Sequence, residues 1–299
     1  MIDYKYFTAD DGEQIAYVVI GEGKPLIYFH GMGSTIESQM PLIEMLKDSF
    51  KVVMFDQRTF GKTETTKNVG IPQSARDGRA LLEYLGIEKA VFLGYSMGAC
   101  DIFSYLQQFG CDKMEKIIFT DMSPKLICED GWELGLYQGQ YSREMYENDL
   151  QLMKTGKYKQ FALLLAEGLL FHQSPETPRD FSGDEDTIRQ RIQDRKPPYQ
   201  LIADVLINGL VDITPEHMVS NLAYWETMAG LDYRDAFEKV TVPSLFVAAR
   251  PGSCYAPETA QWMHEHTAGS QLKWIDDCGH MCGAENRPLW VSYLKEFGA

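Results

Sequence analysis

Ser96 stands at the centre of Gly94-Tyr95-Ser96-Met97-Gly98, directly after the apolar run 90–93 (AVFL) and ahead of a stretch with helical spacing. On a sharp strand-to-helix turn a serine hydroxyl is lifted clear of the sheet. The flanking glycines leave room for the neighbouring strand and helix, and the helix N-terminus adds positive potential. Such a hydroxyl attacks carbonyl carbon if a base can take its proton. Cys278-Gly279-His280-Met281 follows the last apolar run and precedes Glu285-Asn286-Arg287-Pro288. A loop histidine there can reach back over the sheet, accept the serine proton and return it to a leaving group. His30-Gly31-Met32-Gly33 follows the apolar run 26–29. Its glycine-rich turn leaves backbone N–H groups pointing into a cleft, and those of Met32 and Met97 could bind an oxyanion together.

These residues need a scaffold that gathers strand ends on one side. Short runs, apolar on both faces, occur at 15–20, 26–29, 51–55, 90–93 and 116–120, with helical segments at 38–47, 72–85 and 97–109 between them. Continuous apolar runs of this length are strands buried in a parallel sheet, and alternation with helices covers both its faces. Ligands of such sheets bind at the carboxyl ends of the strands, where the three motifs fall. The alternation stops between about 125 and 230, a mostly helical region rich in aromatics, with a polar stretch at 175–198. It resumes with strands at 244–248 and 272–275 and helices at 257–267 and 288–297. The expected organisation is one α/β core, 1–124 plus 231–299, interrupted by a helical cap at 125–230. His264 and His266 fall in a polar helix and read as solvated, and His172 and His217 in the cap read as structural.

The sequence resembles the α/β-hydrolase superfamily through HGMG at 30–33, DQRTFGKT at 56–63, GYSMG at 94–98, DMSPK at 121–125, GH at 279–280 and ENRP at 285–288. The resemblance covers nearly the whole chain outside the cap. It implies a mostly parallel eight-stranded sheet flanked by helices, with the cap inserted after the sixth strand. It further implies Ser96 as nucleophile, His280 as base and the Met32 and Met97 amides as oxyanion hole. Thr59 and Thr63 stand where the family more often has glycine and serine. The family's orienting acid usually follows the seventh strand, but here residues 249–257 hold no Asp or Glu. Asp121, directly after the run 116–120, is the expected replacement, since a carboxylate after the sixth strand can reach the same histidine nitrogen. Glu258 is the alternative, and Asp276 and Asp277 are too near His280 in sequence to orient it. The plainer reading of Asp121 is a turn cap ahead of Pro124.

With these groups the expected reaction is acyl transfer to water from an ester, lactone or thioester through an acyl-serine. The apolar cap suits a small or medium apolar substrate, with His30, Gly31, Tyr95 and Trp132 as expected contacts. Neither a metal nor an organic cofactor is needed. Other readings remain: a cofactor-independent dioxygenase of the hydroxyquinolone type, in which a His/Asp pair works and the serine only binds; a carbon–carbon bond hydrolase; and a non-enzymatic ligand receptor. A formal net charge of −15, from 43 acidic and 28 basic residues, argues against a nucleic-acid partner. No window approaches the roughly 18 apolar residues of a membrane span. The start MIDYKYFTADDGEQ lacks a signal peptide's apolar core, so the cytoplasm is the expected location, with the chain a monomer or homodimer. Six cysteines lack a zinc or disulfide spacing. Cys278 and Cys282 bracket His280, but no second Cys/His cluster accompanies them to make a metal site.

Overall fold

The computed structural model describes residues 2–171, 182–194, 207, 209–211 and 213–299. His172 and both ends of the polar stretch 175–198 lie outside the described residues. Eight strands form one sheet: β1 (Lys5–Thr8), β2 (Gln14–Ile20), β3 (Lys24–Phe29), β4 (Phe50–Phe55), β5 (Ala90–Tyr95), β6 (Met114–Thr120), β7 (Ser244–Pro251) and β8 (Gln271–Cys278). Their order is β1-β2-β4-β3-β5-β6-β7-β8; β1 pairs with β2 and β2 with β4 antiparallel, and the remaining pairings are parallel. Seven strands coincide with the apolar runs. The eighth, β1, escaped because only Phe7 of its four residues faces inward, too short a pattern to show a period.

Helices α1 (Ile36–Leu46), α2 (Ile71–Tyr84) and α3 (Met97–Phe109) fill the crossovers of the first half. The sheet is buried on both faces, with Phe29, Phe92 and Phe119 in the core on one side and Tyr28, Leu93 and Ile118 on the other. That double burial explains the unbroken apolar runs. Between β6 and β7 the described residues form α4 (Arg143–Lys154), α5 (Tyr158–Phe171), α6 (Glu185–Gln193), α7 (Pro215–Ala229) and a 3₁₀ turn at Arg234–Lys239, and no strand. Helix α5 is apolar almost all round. The charge within its apolar run 161–171, Glu167, is buried but held bidentately by Arg191 of α6 at 2.9 and 2.8 Å. The chain then completes α8 (Pro257–Glu265), α9 (Cys282–Glu285) and α10 (Arg287–Gly298).

The segment 56–63 ties the sheet to its neighbours. Asp56 accepts from the amides of Ile36 and Lys62 at 2.6 and 2.8 Å. Arg58, almost fully buried, holds Asp77 of α2 through two hydrogen bonds at 2.7 and 2.8 Å and reaches Asp11 at 2.6 Å. Thr63 Oγ1 accepts from the Ala16 amide of β2 at 2.9 Å. Thr59 adopts φ 71°, the left-handed region that favours glycine. Its hydroxyl is buried without a partner. Thr59→Gly should therefore raise the unfolding free energy by about 1 kcal/mol, relieving a β-branched residue of left-handed strain. Chemical denaturation reads this directly; a lowered midpoint would mean that side-chain packing outweighs the strain.

Candidate active site

Ser96 ends β5 and begins α3 with φ 53° and ψ −123°, a conformation a non-glycine residue holds only under constraint. The constraint is close packing. A Cβ at Gly98 would overlap the Phe29 carbonyl oxygen, and one at Gly94 would stand 2.8 Å from the Ala99 Cα. The Ser96 amide donates to the Thr120 carbonyl of β6 at 3.0 Å, fixing the turn against the next strand. A serine at a helix start commonly caps the first-turn amides, but Ser96 makes no such bond. Its hydroxyl is instead 2.9 Å from His280 Nε2.

The other ring nitrogen, Nδ1, lies 2.7 Å from Asp121 Oδ2. An acceptor carboxylate there puts the hydrogen on Nδ1 and leaves the Nε2 lone pair facing the hydroxyl. Asp121 begins the loop after β6 with φ 46°, and its amide donates to Val247 of β7 at 3.0 Å. That strand-end bond turns its carboxylate toward His280. The His280 loop is braced from below: Tyr95 Oη donates to the His280 carbonyl at 2.6 Å and accepts from the Gly283 amide at 3.2 Å. Glu285 accepts from the Gly279 amide at 3.1 Å.

His280 is 2% exposed, and burial disfavours its charged form. The Cys254 sulfur and the Asp121 carboxylate beside it act in the opposite sense, and the ring is held above its ordinary pKa. Burial pushes the Cys254 thiol up and keeps it neutral, so the carboxylate is the effective cause. Cys254 occupies the loop after β7 where the family's acid was expected. Its sulfur, an Asp121 oxygen and a His280 nitrogen lie within 4.8 Å of one another, the set that could hold a metal among the described residues. The 2.7 Å between Nδ1 and Oδ2 is a hydrogen-bond distance. Two ligands on a tetrahedral zinc stand about 3.3 Å apart, given bonds of about 2.0–2.1 Å. The pair is built for a proton.

The turn at 30–33 carries a device the sequence did not disclose. His30 is fully buried, and burial lowers its pKa to about 4, so the ring is neutral. Its Nε2 accepts from the Gln57 amide at 3.1 Å, leaving Nδ1–H to donate to the Gly31 carbonyl at 2.8 Å. The Ser34 amide donates to the same carbonyl at 3.1 Å. In a planar trans peptide the N–H points opposite the C=O, so pinning the Gly31 carbonyl aims the Met32 N–H the other way. Among the described residues that N–H has no partner. The Met97 N–H, at the first helical position, has no intrahelical acceptor either.

Three expected substrate contacts direct their polar atoms onto backbone. His30 spends both nitrogens on backbone and is closed off from solvent. Tyr95 spends its hydroxyl on the His280 loop. Trp132 donates to the Lys125 carbonyl at 2.8 Å, packs edge-on against Trp262 and is not in the described lining of the cavity at Ser96. Gly31 does lie against the site, since a Cβ there would be 3.4 Å from the Ser96 Cβ. Glu258 is exposed at the start of α8 and is not a partner of His280. His264 is not merely solvated: its Nδ1 is 2.7 Å from Ser270 Oγ. Ser96 lines a cavity of about 20 Å³ walled by Met122, Leu136, Leu165, Leu169, Trp225 and Met228, with no charged side chain among its described lining.

Residues 24–286 match the family model described as the alpha/beta hydrolase fold. A proline iminopeptidase from Lactobacillus acidophilus is 23% identical over 96% of this chain and 94% of its own. A 3-oxoadipate enol-lactonase from Acinetobacter baylyi is 23% identical over 97% and 95%. Among solved structures, an esterase from Exiguobacterium antarcticum superposes with a TM-score of 0.76 at 20% identity, covering 98% of each chain.

The Asp121–His280 contact makes a prediction independent of any substrate. By NMR the His280 imidazole should titrate above 6.5, the ordinary value, and Asp121→Asn should lower it by about one unit or more. A value raised by folding stabilises the protein below the unfolded pKa, and this contribution is lost as pH rises through the folded one. An unchanged titration in Asp121→Asn would remove the carboxylate from the account.

Proposed function

The chain belongs to the α/β-hydrolase fold family, and from that premise we propose that it is a serine hydrolase cleaving a small or medium apolar ester, lactone or thioester through an acyl-serine intermediate. The observation that carries this reading is the continuous path Asp121 Oδ2–His280–Ser96 Oγ, with contacts of 2.7 and 2.9 Å. In this reading Ser96 Oγ attacks the carbonyl carbon as its proton passes to His280 Nε2. The oxyanion forms between the amides of Met32 and Met97, and removing one such donor typically costs about 3 kcal/mol of transition-state stabilisation. His280 then gives the proton to the leaving oxygen or sulfur, and the acyl-serine remains. A water molecule follows the same route: His280 takes its proton, its oxygen attacks the acyl carbon, and the proton returns to Ser96 as the acid departs. Asp121 keeps the imidazole in the required tautomer and offsets its transient positive charge.

The substrate class follows from the cavity. A wall of methionine, leucine and tryptophan offers nothing to a charged acyl group, whose desolvation would go uncompensated. Its size favours short acyl chains. We read residues 125–230 as the cap that supplies most of this wall, with 1–124 and 231–299 as the core. No metal or organic cofactor enters the cycle.

The protein should hydrolyse p-nitrophenyl butyrate, and should turn over the decanoate ester at least about tenfold less efficiently because the longer chain lacks room. Asp121→Asn should lower kcat by about 10³–10⁴-fold while its circular dichroism stays unchanged. Near wild-type turnover in that variant would sink the triad. No esterase activity, together with oxygen uptake on a hydroxyquinolone, would replace the hydrolase with the dioxygenase reading.

A further inference from the structure

A second cavity, of about 250 Å³, lies between the two loops that hold the reacting groups. Residues 31–34 and α1 form one wall, and Met281, Gly283, Ala284 and Arg287 form the other, with Tyr95 and Trp290 also lining it. It is larger than the pocket over Ser96, and Met32 lines both. Its apolar surface comes from Met32, Leu42, Met281 and Trp290.

Arg287, half-buried at the start of α10, is the charged side chain of this lining, and among the described residues it has no ion-pair partner. That is unexpected in a chain with 43 acidic residues against 28 basic ones. Burial pushes the Tyr28 phenol up while the Arg287 guanidinium pulls it back, so the cation stands close to that ring. Tyr28 Oη donates to Gln39 Oε1 at 3.3 Å, and Gln39 Nε2 donates to Ser34 Oγ at 3.4 Å. The Ser34 hydroxyl accepts in this chain, which frees its own hydrogen for a further acceptor. Among the described residues, Arg287 and Ser34 are thus donors without acceptors around one apolar space. Ser38 and Ala284, both exposed, stand at its mouth.

We propose that this cavity binds a small carboxylate with an apolar body, its carboxyl group on Arg287 and Ser34 and its chain against Leu42, Met281 and Trp290. A guanidinium pairs with a carboxylate through two parallel hydrogen bonds. At about 250 Å³ the cavity is roomy enough for a short-chain acid such as hexanoate. Two sources share this chemistry, the acid the enzyme itself releases and an unrelated acid acting as an effector. Either would press on the Met32 turn and the His280 loop together.

The test uses hexanoate as the probe, by calorimetry on the full chain carrying Ser96→Ala, so binding is read whether or not the hydrolase reading holds. Saturable binding should appear in the millimolar range or tighter and weaken at least about tenfold in Arg287→Gln. It should also exceed the binding of hexanol, which has the chain without the charge. In the wild-type enzyme, competitive inhibition of ester hydrolysis identifies the product acid's place, and inhibition or activation that excess substrate does not reverse identifies an effector. Equal hexanoate affinity in Arg287→Gln and its parent, or no saturable binding at all, overturns the proposal.

Discussion

A buried imidazole has two nitrogens to satisfy, and His280 satisfies them on groups delivered by two different strand ends. Its Nδ1 meets Asp121 at the end of β6, and its Nε2 meets Ser96 at the end of β5. Neither partner is adjacent to it in sequence, so the contact exists only while β5 and β6 keep their register and the loop after β8 folds back across them. Much of the surrounding architecture serves that closure. Tyr95, one residue before the serine, holds the His280 carbonyl and the Gly283 amide, coupling the base's loop to the strand that presents the hydroxyl.

The backbone is constrained at both ends of this relay. Ser96 and Asp121 each hold positive φ, and each is held there by an inter-strand hydrogen bond, to Thr120 and to Val247 respectively. Strain of this kind persists only where the surroundings over-determine it. The close approach of α3 to β3 at Gly98 and the β6–β7 pairing provide that here. The oxyanion turn obeys the same logic by another route, because a neutral buried histidine at position 30 fixes the peptide plane that carries the Met32 amide. Two histidines thus do opposite work: the Asp121 carboxylate offsets the burial of His280 and supports its charge when it takes a proton, while burial keeps His30 neutral.

How much of this was legible in the sequence depends on whether a residue's role is local. The sheet could be read because strands buried on both faces leave unbroken apolar runs; β1, with one inward residue, left none. Ser96 was recognisable because the turn demands its flanking glycines, and His280 because it follows the last strand in an unusual loop. Asp121 could be inferred only from the lack of an acid after β7, and its contact with His280 is a long-range fact the chain does not spell out. His30, Tyr95 and Trp132 carry side chains of types that can contact a substrate, which is all their sequence positions disclose. Each instead turns its polar atoms onto backbone supplied by residues 57, 280 and 125 respectively. The cavity beside Arg287 had no sequence signature, since α1, the turn at 31–34 and α10 meet there only in three dimensions.

The central claim is that the Ser96 oxygen becomes covalently bonded to the acyl group. The most direct measurement is rapid-quench mixing with p-nitrophenyl butyrate, followed by proteolysis and mass spectrometry of the peptide bearing residue 96. The account predicts a butyryl adduct on Ser96 that forms with the first release of nitrophenol and decays at the rate of turnover. Steady turnover with no adduct on that peptide, persisting after Ser96→Ala, would contradict it.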